Sequence, residues 1–194
     1  MPLNFKMKRR HVLGLDVSTS ITGVCLIDVD ETPDGTGNHV IVLDHIEFKK
    51  CKTLWEKADV VSAYLSALHI NSNHSDMIVA VEEPLLGFRP GASSATTIAS
   101  LLRFNGIVSY IARGAFNVEP QYVSAPHARK LCGMKLHKPS IVGKSHKEQV
   151  FEHMSQNDLS YMKWPLKKNG KLVDWSRDAT DAYVIAMAAK HMNT

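Results

Sequence analysis

The chain has 194 residues, 44% of them hydrophobic and 22% charged, with a formal net charge of +4. That length and balance exclude a disordered chain and predict one domain, residues 1–194, able to bury a core. No apolar run reaches the ~20 residues that a membrane-spanning helix requires.

The opening MPLNFKMKRR is basic but lacks the apolar stretch of a secretory signal, so residues 1–10 read as a flexible basic arm. The next segment, HVLGLDVSTSITGVCLIDVD, is predicted to form two strands, residues 11–17 and 21–29, close enough for a hairpin. TPDGTGN is a turn signal, and HVIVLDHIEF supplies a third strand, so the chain opens as an antiparallel meander. TLWEKADVVSAYLSALHI repeats apolar residues at helical spacing. MIVAVEE is a short apolar strand that ends in acid, and GFRPGASS is a loop. A long helix then runs from Ser93 to Arg113, with serines placed to cap its start. QYVSA is a fifth strand, followed by short helices near PHARKLC and over KSHKEQVFEHM. A Lys-rich connection leads to the closing helix DATDAYVIAMAAKHM. This order predicts an α/β domain with a mixed five-stranded sheet, a meander followed by parallel crossover strands, flanked by helices.

Cys25, Cys51 and Cys132 are odd in number and far apart, which fits neither a disulfide framework nor a zinc site and suggests a reducing, cytoplasmic setting. The ten histidines show no metal-binding spacing and read as surface or core residues. Positive charge is clustered. Arg129, Lys130, Lys135, Lys138, Lys144 and Lys147 fall in a stretch free of acids between Glu119 and Glu148. Lys163, Lys167, Lys168 and Lys171 make a second patch. Such local fields suit a polyanion, and equally a solvated basic face.

The acids carry the chemistry. Asp16 ends the first strand, Glu82 and Glu83 end the fourth, and Asp178 and Asp181 lie three apart at the start of the last helix. A lone buried carboxylate is costly, and gathered carboxylates repel unless cations hold them. An all-oxygen set selects magnesium or manganese over zinc. Two such ions suit phosphodiester cleavage, so metal-dependent cleavage is the chemistry expected here. Taken singly, each acid could instead be a turn former or a helix cap.

Four segments together resemble the RuvC family of Holliday-junction resolvases, which has an RNase H-like fold. VLGLDVSTSITGVCLID is similar to the family's first strand, catalytic aspartate and second strand. IVAVEEP resembles its strand-plus-glutamate motif, GKSHKEQVFEHM its Lys and Gln-Val segment, and DATDAYVIAMAAKHM its closing Asp-x-x-Asp helix. The resemblance implies a magnesium-dependent endodeoxyribonuclease that resolves four-way DNA junctions in recombination and repair, as a homodimer. It implies two ions, with manganese able to substitute, held by Asp16, Glu82, Asp178 and Asp181. Glu82 is preferred to Glu83 because it follows Ala80-Val81, and Asp174 is read as a cap or loop residue. Lys147 would lie near the scissile phosphate, and Lys135 or Lys130 would match a second lysine of that kind.

The expected DNA contacts are Phe88, Arg89, Arg129, Lys130, Lys135, Lys144, Lys147, Lys167 and Lys168. Two departures stand out. Leu85 and Leu86 follow the acids where the family has a base-contacting aromatic, and the aromatic here is Phe88, open to stacking or to packing. The Lys-rich segment around Trp164 is longer than the family's connection and reads as a DNA-contacting hairpin or as a surface excursion. Both departures point to the phage-type members, acting in a bacterial or phage-infected cell. The long helix, the family's dimer region, carries Ile98, Leu101, Leu102, Ile107, Val108 and Ile111, more than one core-facing stripe. Alternative readings are a nuclease of the same fold acting on RNA–DNA hybrid or other branched nucleic acid, and a non-catalytic nucleic-acid-binding relative. The opening motif also resembles that of actin-like ATPases, but the chain is too short for their two subdomains.

Overall fold

A computed structural model describes residues 10–29, 38–70, 76–84 and 94–193. Three strands come first: β1 (Arg10–Asp16), β2 (Ile21–Val29) and β3 (Asn38–Glu47). Helix α1 (Leu54–Ile70) and strand β4 (Met77–Glu82) follow, then α2 (Ala95–Phe116) and β5 (Gln121–Val123). Four helices complete the chain: α3 (Ala125–Leu131), α4 (Pro139–Val142), α5 (His146–Gln156) and α6 (Trp175–Met192). The five strands form one sheet in the order β3-β2-β1-β4-β5. The β1–β2 and β2–β3 pairs are antiparallel, and the β1–β4 and β4–β5 pairs are parallel. This is the meander-then-crossover sheet expected from the sequence.

The run Val12-Leu13-Gly14-Leu15 is apolar at every position because β1 is covered on both faces. Val12 joins a core built with α3, α5 and α6. Leu13 and Leu15 point the other way, into a core built with α1 and α2. Side chains alternate along a strand, so Gly14 and Asp16 share the face of Val12, beneath α6. There the sheet and helix approach very closely. A Cβ on Gly14 would run into the Ala182 carbonyl, and one on Gly23 would run into the Asp178 carbonyl. These glycines let α6 lie on β1 and β2 with every residue from Ala179 to Lys190 buried.

Several local expectations are corrected. Arg10 belongs to β1 rather than to an arm: its side chain donates to Asp76 at 3.3 Å and to the Asn193 carbonyl at 3.0 Å. The arm's other residues, 1–9, lie outside the described residues, as does the TPDGTGN turn. The long helix starts after Ser94, whose hydroxyl accepts from the Thr97 amide, and ends at Phe116 with Asn117 in the left-handed conformation. The closing helix begins three residues earlier than expected, at Trp175. Asp174 precedes it without a side-chain capping bond and instead accepts from Lys167 at 2.7 Å. The Lys-rich segment makes one antiparallel bridge, Leu166 with Leu172, closed by a turn with Gly170 at φ 75°. Trp164 anchors it edge-on against Phe151 of α5, with ring centroids 5.0 Å apart.

Candidate active site

The strand register draws one row across the sheet. Asp16 pairs with Gly23, and Gly23 pairs with His45. Leu15 pairs with Val81, so the next residues, Asp16 and Glu82, end neighbouring parallel strands side by side. The carboxyl ends of parallel strands are where ligands gather in α/β sheets. Above this row sits the first part of α6. Asp178 and Asp181, one turn apart, face the same side, and Gly23 leaves room for the Asp178 backbone. Four carboxylates from three elements thus stand around one point. Glu83 is exposed, and its backbone amide bonds the Val123 carbonyl.

Lys147 reaches in among the four carboxylates and touches three of them. Its ammonium lies 2.6 Å from Asp178 Oδ1, 3.1 Å from Asp16 Oδ2 and 3.3 Å from Asp181 Oδ2. It comes from the first turn of α5, whose start is set by a capping box between Ser145 and Glu148. A cation at a helix's positive end is disfavoured by the dipole, so the carboxylates account for its place. Burial pulls the lysine toward neutrality, but the charges of Asp16, Asp181 and Asp178 outweigh it and hold the ammonium charged. The resemblance puts Lys147 near the scissile phosphate; in the structure its ammonium is bonded to three of the acids themselves.

The carboxyls sense one another. Burial pushes Glu82 up to about 9, reinforced by its hydrogen bond to Asp16 and by the charges of Asp16 and Asp181. Glu82 is thus the acid of the cluster held most strongly toward its protonated form. Burial also raises Asp181 to about 6, helped by Asp16 and opposed by Lys147 and Arg129. Asp178 is raised by burial, with Lys147 pulling the other way.

An all-oxygen donor set of this charge fits magnesium or manganese by chemistry. The residues that would hold them are Asp16, Glu82, Asp178 and Asp181. Among the described residues, no three acidic, histidine or cysteine side chains converge closely enough to grip an ion as they stand. They are spaced around an ammonium instead, and an ion would draw them in to about 2.0–2.1 Å.

The other expected contacts divide. Arg129 lies 3.9 Å from Asp181 and, with Lys130, His146, Glu82, Met134 and Leu136, lines a cleft of about 450 Å³. Lys135 is exposed beyond it. Lys144 pairs with Glu152 at 2.7 Å and Lys167 with Asp174, so both lysines are engaged within the chain. Lys168 is exposed on the turn. Phe88 and Arg89 lie outside the described residues.

His45 was missed by the sequence reading. It sits in the same row as Asp16, stacks on Trp175 with centroids 4.6 Å apart and planes 6° apart, and lies close enough to Asp178 to bear on it. Its Nδ1 is 3.2 Å from Asp44 Oδ1, and Tyr64 donates to the other Asp44 oxygen at 3.0 Å. The available signal was its place near the end of an edge strand antiparallel to the one that follows Asp16.

The sequence matches no protein-family model and no curated protein. Structure comparison does find neighbours. Thermus thermophilus RuvC superposes with a TM-score of 0.60 at 16% identity, over 94% of this chain and 95% of that one. The chain has the RuvC fold. T. thermophilus RuvC in complex with a Holliday junction substrate gives 0.60 at 14% identity, over 94% of each chain. The yeast mitochondrial Holliday junction resolvase gives 0.50 at 16% identity, over 93% of this chain and 77% of that one. The RuvC likeness thus runs nearly end to end and takes in the mixed sheet and its flanking helices. At such identities it is the fold that is shared.

Proposed function

We propose that this chain is a divalent-metal-dependent endonuclease that cuts four-way DNA junctions as a homodimer. The observation that carries the reading is the cluster itself: four carboxylates at one end of a RuvC-fold sheet, with a cation among them and basic side chains around the rim. A purely structural role gives no reason to gather four acids under a closely packed helix, since their mutual repulsion costs stability.

Bound at the cluster, two divalent ions would supply activation of the attacking water and neutralisation of the leaving oxygen. The chain's own residues do the rest. Asp16, rigid at the end of β1 and buried, is central because it neighbours Glu82, Lys147 and the α6 pair. Arg129 and Lys130 flank the cleft beside Glu82 and suit the phosphates of the cut strand. Lys147 supplies a positive charge where a phosphodiester would gain negative charge. The resolvase reading rather than a general nuclease reading is supported by the fold neighbours and by α2. Of its six named apolar residues, Val108 is buried, while Leu102 is exposed and Ile98, Leu101, Ile107 and Ile111 remain partly so.

The deciding experiment offers a labelled four-way junction, matched duplex and RNA–DNA hybrid with magnesium, with Asp16→Asn in parallel. The wild type should cut the junction preferentially, and Asp16→Asn should bind it without cutting. Preference for the hybrid would replace this reading with the hybrid nuclease. Binding without any cutting by the wild type would replace it with the non-catalytic relative.

A further inference from the structure

We propose that Lys147 is the resident cation of the carboxylate cluster, and that a divalent ion and this ammonium compete for one seat. The inference rests on the metal-dependent reading above and adds how the site exchanges one cation for another.

Three oxygens from three residues surround the ammonium, at 2.6, 3.1 and 3.3 Å, matching the three donors a lysine carries. Those residues, Asp16, Asp178 and Asp181, are three of the four that would hold an ion. A dication placed among the same oxygens would stand against a like charge at bonding distance, so the two cannot occupy that place together. The next cation, Arg129, lies 3.9 Å from the other oxygen of Asp181, and Lys147 is the cation bonded to both Asp16 and Asp178. Asp16 and Asp181 are fixed by burial, with side chains 7% and 8% exposed, whereas the Lys147 side chain is 45% exposed. The lysine therefore enters from the rim, and its long stem can withdraw toward solvent without unpacking the core. Withdrawn, it stays beside the cluster on α5, where a phosphate would meet it. The seat also accounts for the spacing of the acids, set by an ammonium and wider than an ion requires.

The test is calorimetric titration of manganese into chelator-treated protein, for wild type, Lys147→Met and Lys147→Arg, with thermal midpoints measured with and without the metal. Competition predicts that Lys147→Met binds manganese about tenfold or more tightly than wild type, since no resident cation must leave. It also predicts a lower midpoint without metal and a larger rise with it. Lys147→Arg keeps a cation in the seat and should stay close to wild type. Equal or weaker binding by Lys147→Met overturns the proposal. If Lys147→Met does not fold without metal, folding on addition of manganese supports the proposal, and failure to fold with manganese counts against it. Junction cutting by wild type with manganese affinity unchanged in Lys147→Met would overturn this inference alone. Tighter manganese binding without junction cutting by wild type would overturn the nuclease reading alone.

Discussion

Asp16 and Glu82 are where single residues decide the most. Their carboxyls lie side by side at the ends of two parallel strands, and burial beside Asp16 favours the protonated form of Glu82. Glu82 is held protonated up to about 9 in the fold, against 4.5 for an ordinary glutamate. Between those values the folded chain binds more protons than the unfolded one, so metal-free stability falls as pH rises. The contribution is intact below the unfolded value and is lost as pH climbs through the folded one. Glu82→Gln cannot ionise and should flatten that fall. Thermal midpoints in chelator from about pH 5 to about pH 9 would measure it, and parallel profiles for variant and wild type would remove Glu82 as the source. Asp181, raised to about 6, adds a smaller slope of the same sign at lower pH.

At the scale of elements, the seating of α6 on the sheet controls the site. Asp178 hangs over Asp16 because Gly23 lets the α6 backbone come down onto β2. Gly23→Ala would place a methyl group against the Asp178 carbonyl, and overpacking of this kind costs about 1–3 kcal/mol. The variant should lose stability by that amount and bind manganese more weakly, as the first turn of α6 lifts. Gly114→Ala, on a helical position with open space, is the control and should be neutral or slightly stabilising. Denaturant unfolding and metal titration on both proteins would separate the cases, and an unaltered metal affinity in Gly23→Ala would mean that α6 does not set the cluster. The Lys-rich segment is a second element with a testable role. Its turn carries Lys168 outward while Lys167 is paired with Asp174. Lys168→Glu should weaken junction binding and lower the slope of log affinity against log salt by about one, the share of one phosphate contact. An unchanged slope would make the segment a solvated excursion.

The described residues of the whole molecule present one acid cluster, which suits one nick. Resolving a junction into two duplexes takes two nicks, placed symmetrically, and a two-fold dimer presents two identical sites to a substrate of matching symmetry. The exposed side of α1 and α2 is suited to such pairing: Trp55 is 72% exposed and Tyr110 74%, and both border a groove that includes Gly106 and Ile107. A dimer in solution and paired nicks in opposing strands are therefore expected. Tyr110→Glu, far from the carboxylates in sequence and on the outer face, should shift the protein to monomer and leave unpaired nicks. Sedimentation would report the first effect, and mapping cuts on all four labelled strands the second. A wild-type monomer making paired nicks would break the link between symmetry and assembly.

The sequence by itself was enough for the element order and the mixed sheet, and it singled out Asp16, Glu82, Asp178 and Asp181 as candidate ligands, with Lys147 added through the family resemblance. An apolar run that stops at an acid, an Asp-x-x-Asp at helical spacing and a serine cap are features of a few neighbouring residues. Glu82 was preferred to Glu83 because it follows Ala80-Val81 as the family's glutamate follows its apolar pair. What the sequence could not convey is where those residues meet. Lys147 and Asp16 are 131 positions apart and share a hydrogen bond, so no local pattern marks the lysine as lying inside the cluster. His45 carries no motif and enters the row through strand pairing alone. Gly14 and Gly23 read as ordinary strand glycines until α6, from the far end of the chain, is laid across them. Local periodicity determines which face a side chain takes. Only the packing of distant elements against one another decides which charges share a site, and there Coulomb forces between neighbours set both protonation and the place that a cation must occupy.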